Sequence, residues 1–213
     1  MPPVYRLKVL REGYCTPAGR GQARADGTIT LLMGPHKILV DTGGPWARDS
    51  LIEALRHEGL TPADVDHVVC THGHSDHVGN LGLFADATLI VSHDISHGDL
   101  YTEHPFASGE PYRIDDAVEV IATPGHTGQD VSVAVRTPEG LHVVAGDLFE
   151  CREDLEDESL WRARSEDPAR QVESRALVLR IADFVVPGHG GAFAVDASLA
   201  RDQTASAQRD RRD

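Results

Sequence analysis

The feature that most constrains this chain is the run THGHSDH at residues 71–77, which holds three imidazoles and one carboxylate. It directly follows an apolar segment, 65–70, that predicts a β-strand. Inside a core each of these side chains would need its own polar partner, so we expect them on a loop at the strand end, where they can converge on metal. His72 and His74 point the same way if the backbone is extended. Asp76 and His77 then turn away from them, toward a second metal position. The run therefore predicts the nucleus of a two-metal site.

Three further ligand candidates lie at the ends of predicted strands, in loops built from glycine or proline. His126 lies in TPGHT, Asp147 in AGD and His189 in PGHG. Glycine allows the chain to turn sharply after a strand and leaves room for the ligand to point inward. Four strand ends far apart in the sequence can therefore meet on one rim of the fold.

Seven candidate ligands for two ions require one shared group, and a carboxylate has two oxygens with which to bridge. We assign three ligands to the first ion (His72, His74, His126), three to the second (Asp76, His77, His189) and the bridge to Asp147. A ligand set rich in imidazole with two carboxylates favours two zinc ions, with iron or manganese as alternatives. A hydroxide between the ions would be the nucleophile at neutral pH, and Asp76 is predicted to orient it.

Three other residues are candidates for supporting roles. Asp41, in a loop that follows a predicted strand, is expected to accept a hydrogen bond from a ligating imidazole and so to fix its orientation. His93 and His104 lie in predicted loops and are candidates for lining a substrate pocket.

The order of predicted elements favours an α+β fold with two β-sheets face to face and helices outside. The apolar patterns predict strands at 4–10, 28–33, 37–40, 64–70, 87–91, 118–122, 131–135, 141–145 and 184–186. Helical segments are predicted at 46–58, 80–84 and 168–181, the last opened by an Asp cap and a proline. The length suits a single domain, which we place at 1–200, followed by a polar tail at 201–213.

Composition limits the function classes. The net charge of −14 and the absence of a basic stripe argue against a protein that tracks long nucleic acids. The acidic residues between 150 and 158 are expected to form a solvated face. Three scattered cysteines, no secretory signal and no apolar run approaching ~20 residues predict a cytoplasmic protein without a membrane partner.

With these motifs in this order, the chain resembles the metallo-β-lactamase superfamily from Asp41 to His189. That resemblance implies a four-layer αββα sandwich. The segments 41–48, 71–79 and 129–133 are similar to those of one small animal subfamily. The subfamily implies a dinuclear zinc hydrolase that is a homodimer in the cytoplasm and the nucleus. It also implies an endoribonuclease whose RNA substrate is the 3′ end of histone pre-mRNA.

Two differences from other members of the superfamily limit the reactions that this chain can be expected to catalyse. The commonest zinc β-lactamases carry a cysteine where this chain has Asp147, and flavin-linked di-iron relatives carry a glutamate where it has His74. We therefore expect hydrolysis of something other than a β-lactam. The RNA substrate follows from the resemblance alone, since fold and metal ligands do not specify it. A thioester hydrolase of the glyoxalase II type, an iron persulfide dioxygenase and a non-catalytic metal-binding protein remain alternatives.

Overall fold

The structure is a computed structural model that describes residues 3–196 and Leu199. In chain order the strands are β1 (Arg6–Arg11), β2 (Tyr14–Gly19), β3 (Gln22–Asp26), β4 (Ile29–Met33), β5 (Lys37–Val40), β6 (His67–Cys70), β7 (Thr88–Val91), β8 (Asp94–His97), β9 (Leu100–Thr102), β10 (Tyr112–Arg113), β11 (Val118–Ala122), β12 (Val131–Thr137), β13 (Gly140–Gly146), β14 (Phe184–Pro187) and β15 (Phe193–Ala194). The α-helices are α1 (Arg48–His57), α2 (Ser75–Val78), α3 (Ser159–Arg162) and α4 (Pro168–Ile181). Short 3₁₀ turns span Pro45–Ala47, Pro62–Asp64, Leu81–Leu83, Phe106–Ser108 and Arg152–Leu155.

Within these residues the strands form two main sheets and one hairpin. The first sheet has the order β1-β4-β5-β6-β7-β8-β9 and the second the order β10-β11-β12-β13-β14-β15, while β2 pairs with β3. The neighbours β5, β6 and β7 run parallel, as do β13 and β14. Carboxyl ends of parallel neighbours lie at the same edge of a sheet, so each sheet presents several strand ends on one rim.

The two sheets pack face to face through their apolar inner faces. Ile38 and Val40 on β5 join the cluster between the sheets, whereas Leu39 between them joins the cluster under α1. This alternation is the period-two pattern of a strand whose two faces are both covered. On the far side of the second sheet, Val178 and Leu179 of α4 pack on the outward side chains of β13 and β14. The layers are therefore helix, sheet, sheet, helix, which confirms the predicted αββα sandwich.

The structure contains the predicted strands and helices, with small shifts at their ends. The 168–181 helix begins at Pro168, and the Asp167 side chain accepts a hydrogen bond from Arg170 N as its cap. The predicted strand at 64–70 was wrong in its first half. Thr61 and Asp64 form a capping box on a 3₁₀ turn, which takes the chain out of the sheet until His67.

The β2–β3 hairpin and the strands β8 and β9 were not predicted. These segments are short and most of their residues are exposed, so no apolar alternation marks them. The proposed tail at 201–213 lies outside the described residues, and the division into domain and tail stays a prediction. No helix among the residues that the structure describes has the length and apolarity needed to cross a membrane.

Candidate metal centre

The predicted ligands lie at the carboxyl ends of strands, on one rim of the sandwich. Strand β6 leads into the loop of His72 and His74, and the one-turn helix α2 that follows carries Asp76 and His77. From the second sheet, His126 follows β11, Asp147 follows β13 and His189 follows β14. The sheet-on-sheet packing is what brings these loops together, and the structure gathers all seven side chains.

Four side chains form a first group, with one potential ligand atom from each within 4.8 Å of the others: His72, His74, His126 and Asp147. His74 Nδ1 lies 2.9 Å from His72 Nε2 and 3.2 Å from His126 Nε2. Three nitrogens of three imidazoles therefore converge on one point. Such convergence has no apolar packing function, and it is the arrangement that a cation requires.

A second group with the same spacing consists of Asp76, His77 and His189. Asp147 lies between the two groups. Its Oδ1 is 3.2 Å from His77 Nε2, and its Oδ2 is 3.2 Å from His189 Nε2 and 3.4 Å from His126 Nε2. This carboxylate is positioned to contact ions in both groups, as a bridging ligand would be.

Glycines at two positions allow the ligand-bearing strand ends to lie close together. Gly188 has no side chain, and a Cβ there would overlap Oδ1 of Asp147. Gly146, in the left-handed region at φ 53°, lies where a Cβ would overlap the Thr71 hydroxyl. The glycines beside Asp147 and His189 thus allow the ends of β13 and β14 to pack against each other and against β6.

Asp41 orients the imidazoles of the first sheet. With the proton on Nδ1, His77 donates to Asp41 Oδ2 at 2.9 Å, which leaves the His77 Nε2 lone pair facing the group. The Thr71 hydroxyl lies 3.0 Å from the same oxygen, and His72 Nδ1 lies 3.1 Å from that hydroxyl. One buried carboxylate therefore contacts both imidazoles, His77 directly and His72 through the Thr71 hydroxyl, and can orient them. Asp41 itself has φ 59°, a conformation that aspartate tolerates better than most residues.

Asp26 has the corresponding role for the second sheet, and sequence reasoning missed it. Its carbonyl oxygen lies 3.1 Å from His189 Nδ1. Its buried carboxylate is held by the Arg11 guanidinium at 2.6 Å, the Trp46 indole N–H and the Gly44 backbone N–H. Asp26 ends β3 of the unpredicted hairpin, so no sequence signal pointed to it.

Asp130 holds the loop that carries His126, and it too was missed. Its carboxylate accepts hydrogen bonds from the backbone N–H groups of Gly125 and Thr127 and from the Thr127 hydroxyl. Burial raises the pKa of Asp130 to about 7, against the lowering effect of these hydrogen bonds. The short sequence distance to His126 was the available signal, because aspartate often closes a turn on nearby backbone.

The electrostatics favour positive charge between the groups. Burial lowers the pKa of His72 well below its usual value, and the His77 imidazole lowers it further. Burial also lowers the pKa of His77, but the carboxylates of Asp147 and Asp41 raise it by more, so that it lies well above the usual value. Burial raises the pKa of Asp147, yet His77 and His72 hold it well below its usual range. A cation at the centre would supply the positive charge that a protonated His77 otherwise provides beside Asp147.

The residues present fit a metal. Two atoms that face the centre, His77 Nε2 and Asp147 Oδ1, are buried and make no hydrogen bond with any described residue. An unsatisfied buried polar atom costs about 1–3 kcal/mol, and metal ligation would satisfy both atoms. The donor set of imidazole nitrogens and carboxylate oxygens suits a divalent transition metal.

The acidic segment 150–158 was predicted as a solvated face, and this is wrong for two of its residues. Glu150 and Asp154 are 3% and 0% exposed. Asp154 pairs with the buried Arg175 at 2.7 Å, and Glu150 accepts a hydrogen bond from Arg164 at 3.1 Å. Their counter-ions lie further along the chain, so only the fold shows that these acids are paired. Burial, and then the nearby Asp147, raises the pKa of Glu150 to about 7.

The two pocket candidates lie in different surroundings. His93 follows β7 and lines a cavity of about 310 Å³, with Phe106, Pro124, Gly128, Gln129 and Arg170 among its neighbours. Pro124 and Gly128 belong to the loop that carries His126, so this cavity borders that loop. His104 lines a separate depression with His93, and its Nε2 lies 2.9 Å from the Glu110 carbonyl oxygen.

Replacing Asp41 by Asn is expected to weaken metal binding. Asparagine keeps the shape and tolerates the positive φ, but it removes the negative charge behind His77 and Thr71. The loss of such a supporting carboxylate typically costs 10–100-fold in affinity. Competition with a chromogenic chelator measures this, with the exposed Asp99→Asn as a matched control. Equal affinity in both variants would show that Asp41 has no part in holding the ion.

Comparison with known proteins supports the architecture. The family model for the metallo-beta-lactamase superfamily matches residues 34–119, which include the 71–77 run. Metallo-beta-lactamase domain-containing protein 1 of Xenopus laevis is 50% identical over 205 residues, covering 94% of this chain and 87% of that protein. The human protein of the same name is 48% identical over 231 residues, covering 94% and 86%.

Solved structures agree at the level of the fold. A Bacillus thuringiensis AiiA variant with N-decanoyl-L-homoserine bound at the active site superposes with a TM-score of 0.66 at 20% identity, covering 89% of this chain and 94% of that one. A metallo-beta-lactamase family protein of Thermus thermophilus gives a TM-score of 0.64 at 19% identity, covering 96% and 79%. Whole-chain relatives, fold and clustered imidazoles agree, and the chain belongs to the metallo-beta-lactamase superfamily of metal-dependent hydrolases.

Proposed function

We propose that this chain is a dinuclear zinc hydrolase that cleaves RNA phosphodiesters. The observation that supports hydrolase activity is the pair of ligand groups that share Asp147. The RNA substrate is supported by the sequence resemblance described above and by a cationic cavity beside the loop that carries His126. The names of the curated relatives specify no substrate.

The proposed roles follow the predicted assignment. His72, His74 and His126 would hold one ion, Asp76, His77 and His189 the other, and Asp147 would contact both. Such ions supply Lewis acidity to a scissile phosphate and lower the pKa of a coordinated water. Asp76, whose Oδ2 lies 3.8 Å from His189 Nε2, would accept a hydrogen bond from the attacking water and so orient it.

The cavity lined by His93, Gln129 and Arg170 supports an anionic substrate. The Arg170 side chain is exposed on α4 and makes no ion pair with a described residue, so its guanidinium is available to a ligand. His93 stacks on the buried Phe106 with ring centroids 5.0 Å apart, which fixes its ring in the cavity wall. A phosphate next to the scissile one would find a positive group here despite the net charge of −14.

Arg170→Ala is expected to raise KM for a phosphodiester substrate about tenfold with little change in kcat, because a charge-assisted hydrogen bond contributes about 1.5–3 kcal/mol and exposure reduces it. Turnover of an uncharged ester should not change. Arg180→Ala, an exposed arginine further along α4, is the control. A KM increase of the same size for charged and uncharged substrates would argue against phosphate recognition.

The decisive experiment assays zinc-loaded protein on labelled single-stranded RNA beside a thioester and an acyl homoserine lactone. We expect RNA cleavage that is lost on chelation and in His74→Ala. Cleavage that survives His74→Ala would reveal a contaminating nuclease. If the protein hydrolyses the thioester or the lactone but does not cleave the RNA, it is still a metal-dependent hydrolase, and the proposed RNA substrate is wrong. One iron per chain with oxygen uptake would favour a persulfide dioxygenase instead.

We also propose that the chain forms a homodimer. The outer strand β9 of the first sheet carries two exposed apolar side chains, Leu100 at 70% and Tyr101 at 68%. An open edge strand of this kind can pair with a second copy. Light scattering during size-exclusion chromatography should give twice the mass of 23.1 kDa. A monomer at micromolar concentration would contradict the proposal.

A further inference from the structure

A buried carboxylate outside the predicted ligand set faces the second group. Glu150 is three residues after Asp147, and one of its oxygens lies within 4.8 Å of ligand atoms of both Asp147 and His189. The side chain is 4% exposed, and Oε1 makes no hydrogen bond with any described residue. Only Oε2 has a partner, the Arg164 guanidinium at 3.1 Å.

The backbone fixes Glu150 in this position. Its N–H donates to Asp154 Oδ2 at 2.7 Å, and its carbonyl oxygen accepts from the His189 N–H at 2.7 Å. The preceding carbonyl, that of Phe149, accepts from the Gly188 N–H at 2.9 Å. The turn that carries Glu150 is therefore hydrogen-bonded directly to the loop that carries His189, and these bonds hold the two backbone segments together.

An unsatisfied carboxylate oxygen beside a second carboxylate requires compensation. Burying a charged group without a partner is costly, and Arg164 compensates only one oxygen of Glu150 while its own side chain is 45% exposed. A divalent cation among Asp147, His189 and Glu150 would satisfy the remaining oxygen. Asp147 and His189 are also proposed ligands of the two ions, and His189 belongs both to this set and to the group of Asp76 and His77, so the two sets meet at His189.

We infer that Glu150 is an additional ligand of the second metal position, which makes that position oxygen-rich. This rests on the proposal that the two groups hold metal ions. The second position then offers carboxylates from Asp76, Asp147 and Glu150 against imidazoles from His77 and His189. The first offers three imidazoles and one carboxylate. Carboxylates suit manganese better than imidazoles do, whereas imidazole suits zinc, so the two positions differ in metal preference.

The test compares manganese and zinc binding to the full chain, measured by chelator competition and by elemental analysis after desalting. In Glu150→Gln, which preserves side-chain volume, we expect manganese affinity to fall about 10–100-fold, the range seen for groups that support a metal. Zinc affinity at the first position should change less than threefold. Glu153→Gln, an exposed neighbour in the same segment, is the control and should match the parent protein.

Arg164→Ala separates ligation from a purely structural ion pair. If Glu150 binds metal, this variant keeps the ligand and its manganese affinity should stay within threefold of the parent. Equal losses in Arg164→Ala and Glu150→Gln would overturn the inference, as would unchanged manganese affinity in folded Glu150→Gln. Visible absorption of the cobalt-loaded protein gives a second readout, because a change in coordination number alters its intensity. Failure of the parent chain to bind two ions would instead refute the proposed dinuclear centre.

Discussion

Saturation with zinc is expected to raise the free energy of unfolding of this protein by about 4 kcal/mol when free zinc is ~1,000 times its dissociation constant. For a chain of this length that corresponds to an increase in Tm of roughly 8–16 °C. The physical reason is that seven polar side chains from both sheets converge on one rim, and an ion that binds only the folded arrangement links their loops. Thermal unfolding with zinc and with a chelator measures the difference.

His72→Ala should remove most of this stabilisation, because His72 Nε2 is buried at the centre of the first group, 2.9 Å from His74 Nδ1. His97→Ala is the matched control, since His97 is exposed on β8 and lies outside both groups. A zinc-dependent rise in Tm that is the same in both variants would show that the stabilising ion binds elsewhere.

Arg175→Ala is expected to destabilise the fold by about 3–5 kcal/mol, the typical cost of leaving one member of a buried ion pair without its partner. Arg175 and Asp154 are 1% and 0% exposed, and their side chains make two hydrogen bonds of 2.7 and 3.0 Å. The guanidinium also lies over the rings of Phe149 and Trp161. Urea unfolding measures the loss, and the exposed Arg180→Ala should stay close to the parent.

The double variant Arg175→Met with Asp154→Asn tests the cause. It removes both charges while an amide oxygen remains to accept from the Glu150 N–H, which donates to Asp154 at 2.7 Å. We expect it to be more stable than Arg175→Ala, since no unpaired charge is buried. A double variant that is no more stable would mean that packing of the arginine stem, and not its charge, accounts for the effect.

The candidate metal ligands could be identified from the sequence because their pattern is local. His72, His74, Asp76 and His77 are confined to six residues, and their cost in a core is evident without coordinates. His126 and His189 were recognisable from the glycines beside them. The short apolar runs that predict β4, β5 and β6 are also local, which is why the sandwich could be predicted.

Only some of the residues that hold the candidate ligands in place could be predicted from the sequence. Asp41 lies in a loop next to a predicted strand, and its contact with a ligating imidazole was expected, although the sequence did not show that the imidazole is that of His77. Asp26 supports His189 across 163 positions of the chain, through an irregular hairpin with no apolar pattern. Glu150 looked like one acid among several because its partners, Arg164 and the His189 loop, are recognisable only after β13 and β14 are paired.

The sequence by itself therefore determined the main strands and helices, the two-sheet core and the candidate ligands of the centre, since each depends on neighbouring residues and their periodicity. Only the tertiary structure decided which imidazole nitrogen faces the centre, which carboxylates are buried, and that Arg170 and His93 share a cavity beside the His126 loop. Those properties depend on the register and packing of strands distant in sequence. No local pattern encodes the distance between two side chains that meet only when two sheets close on each other.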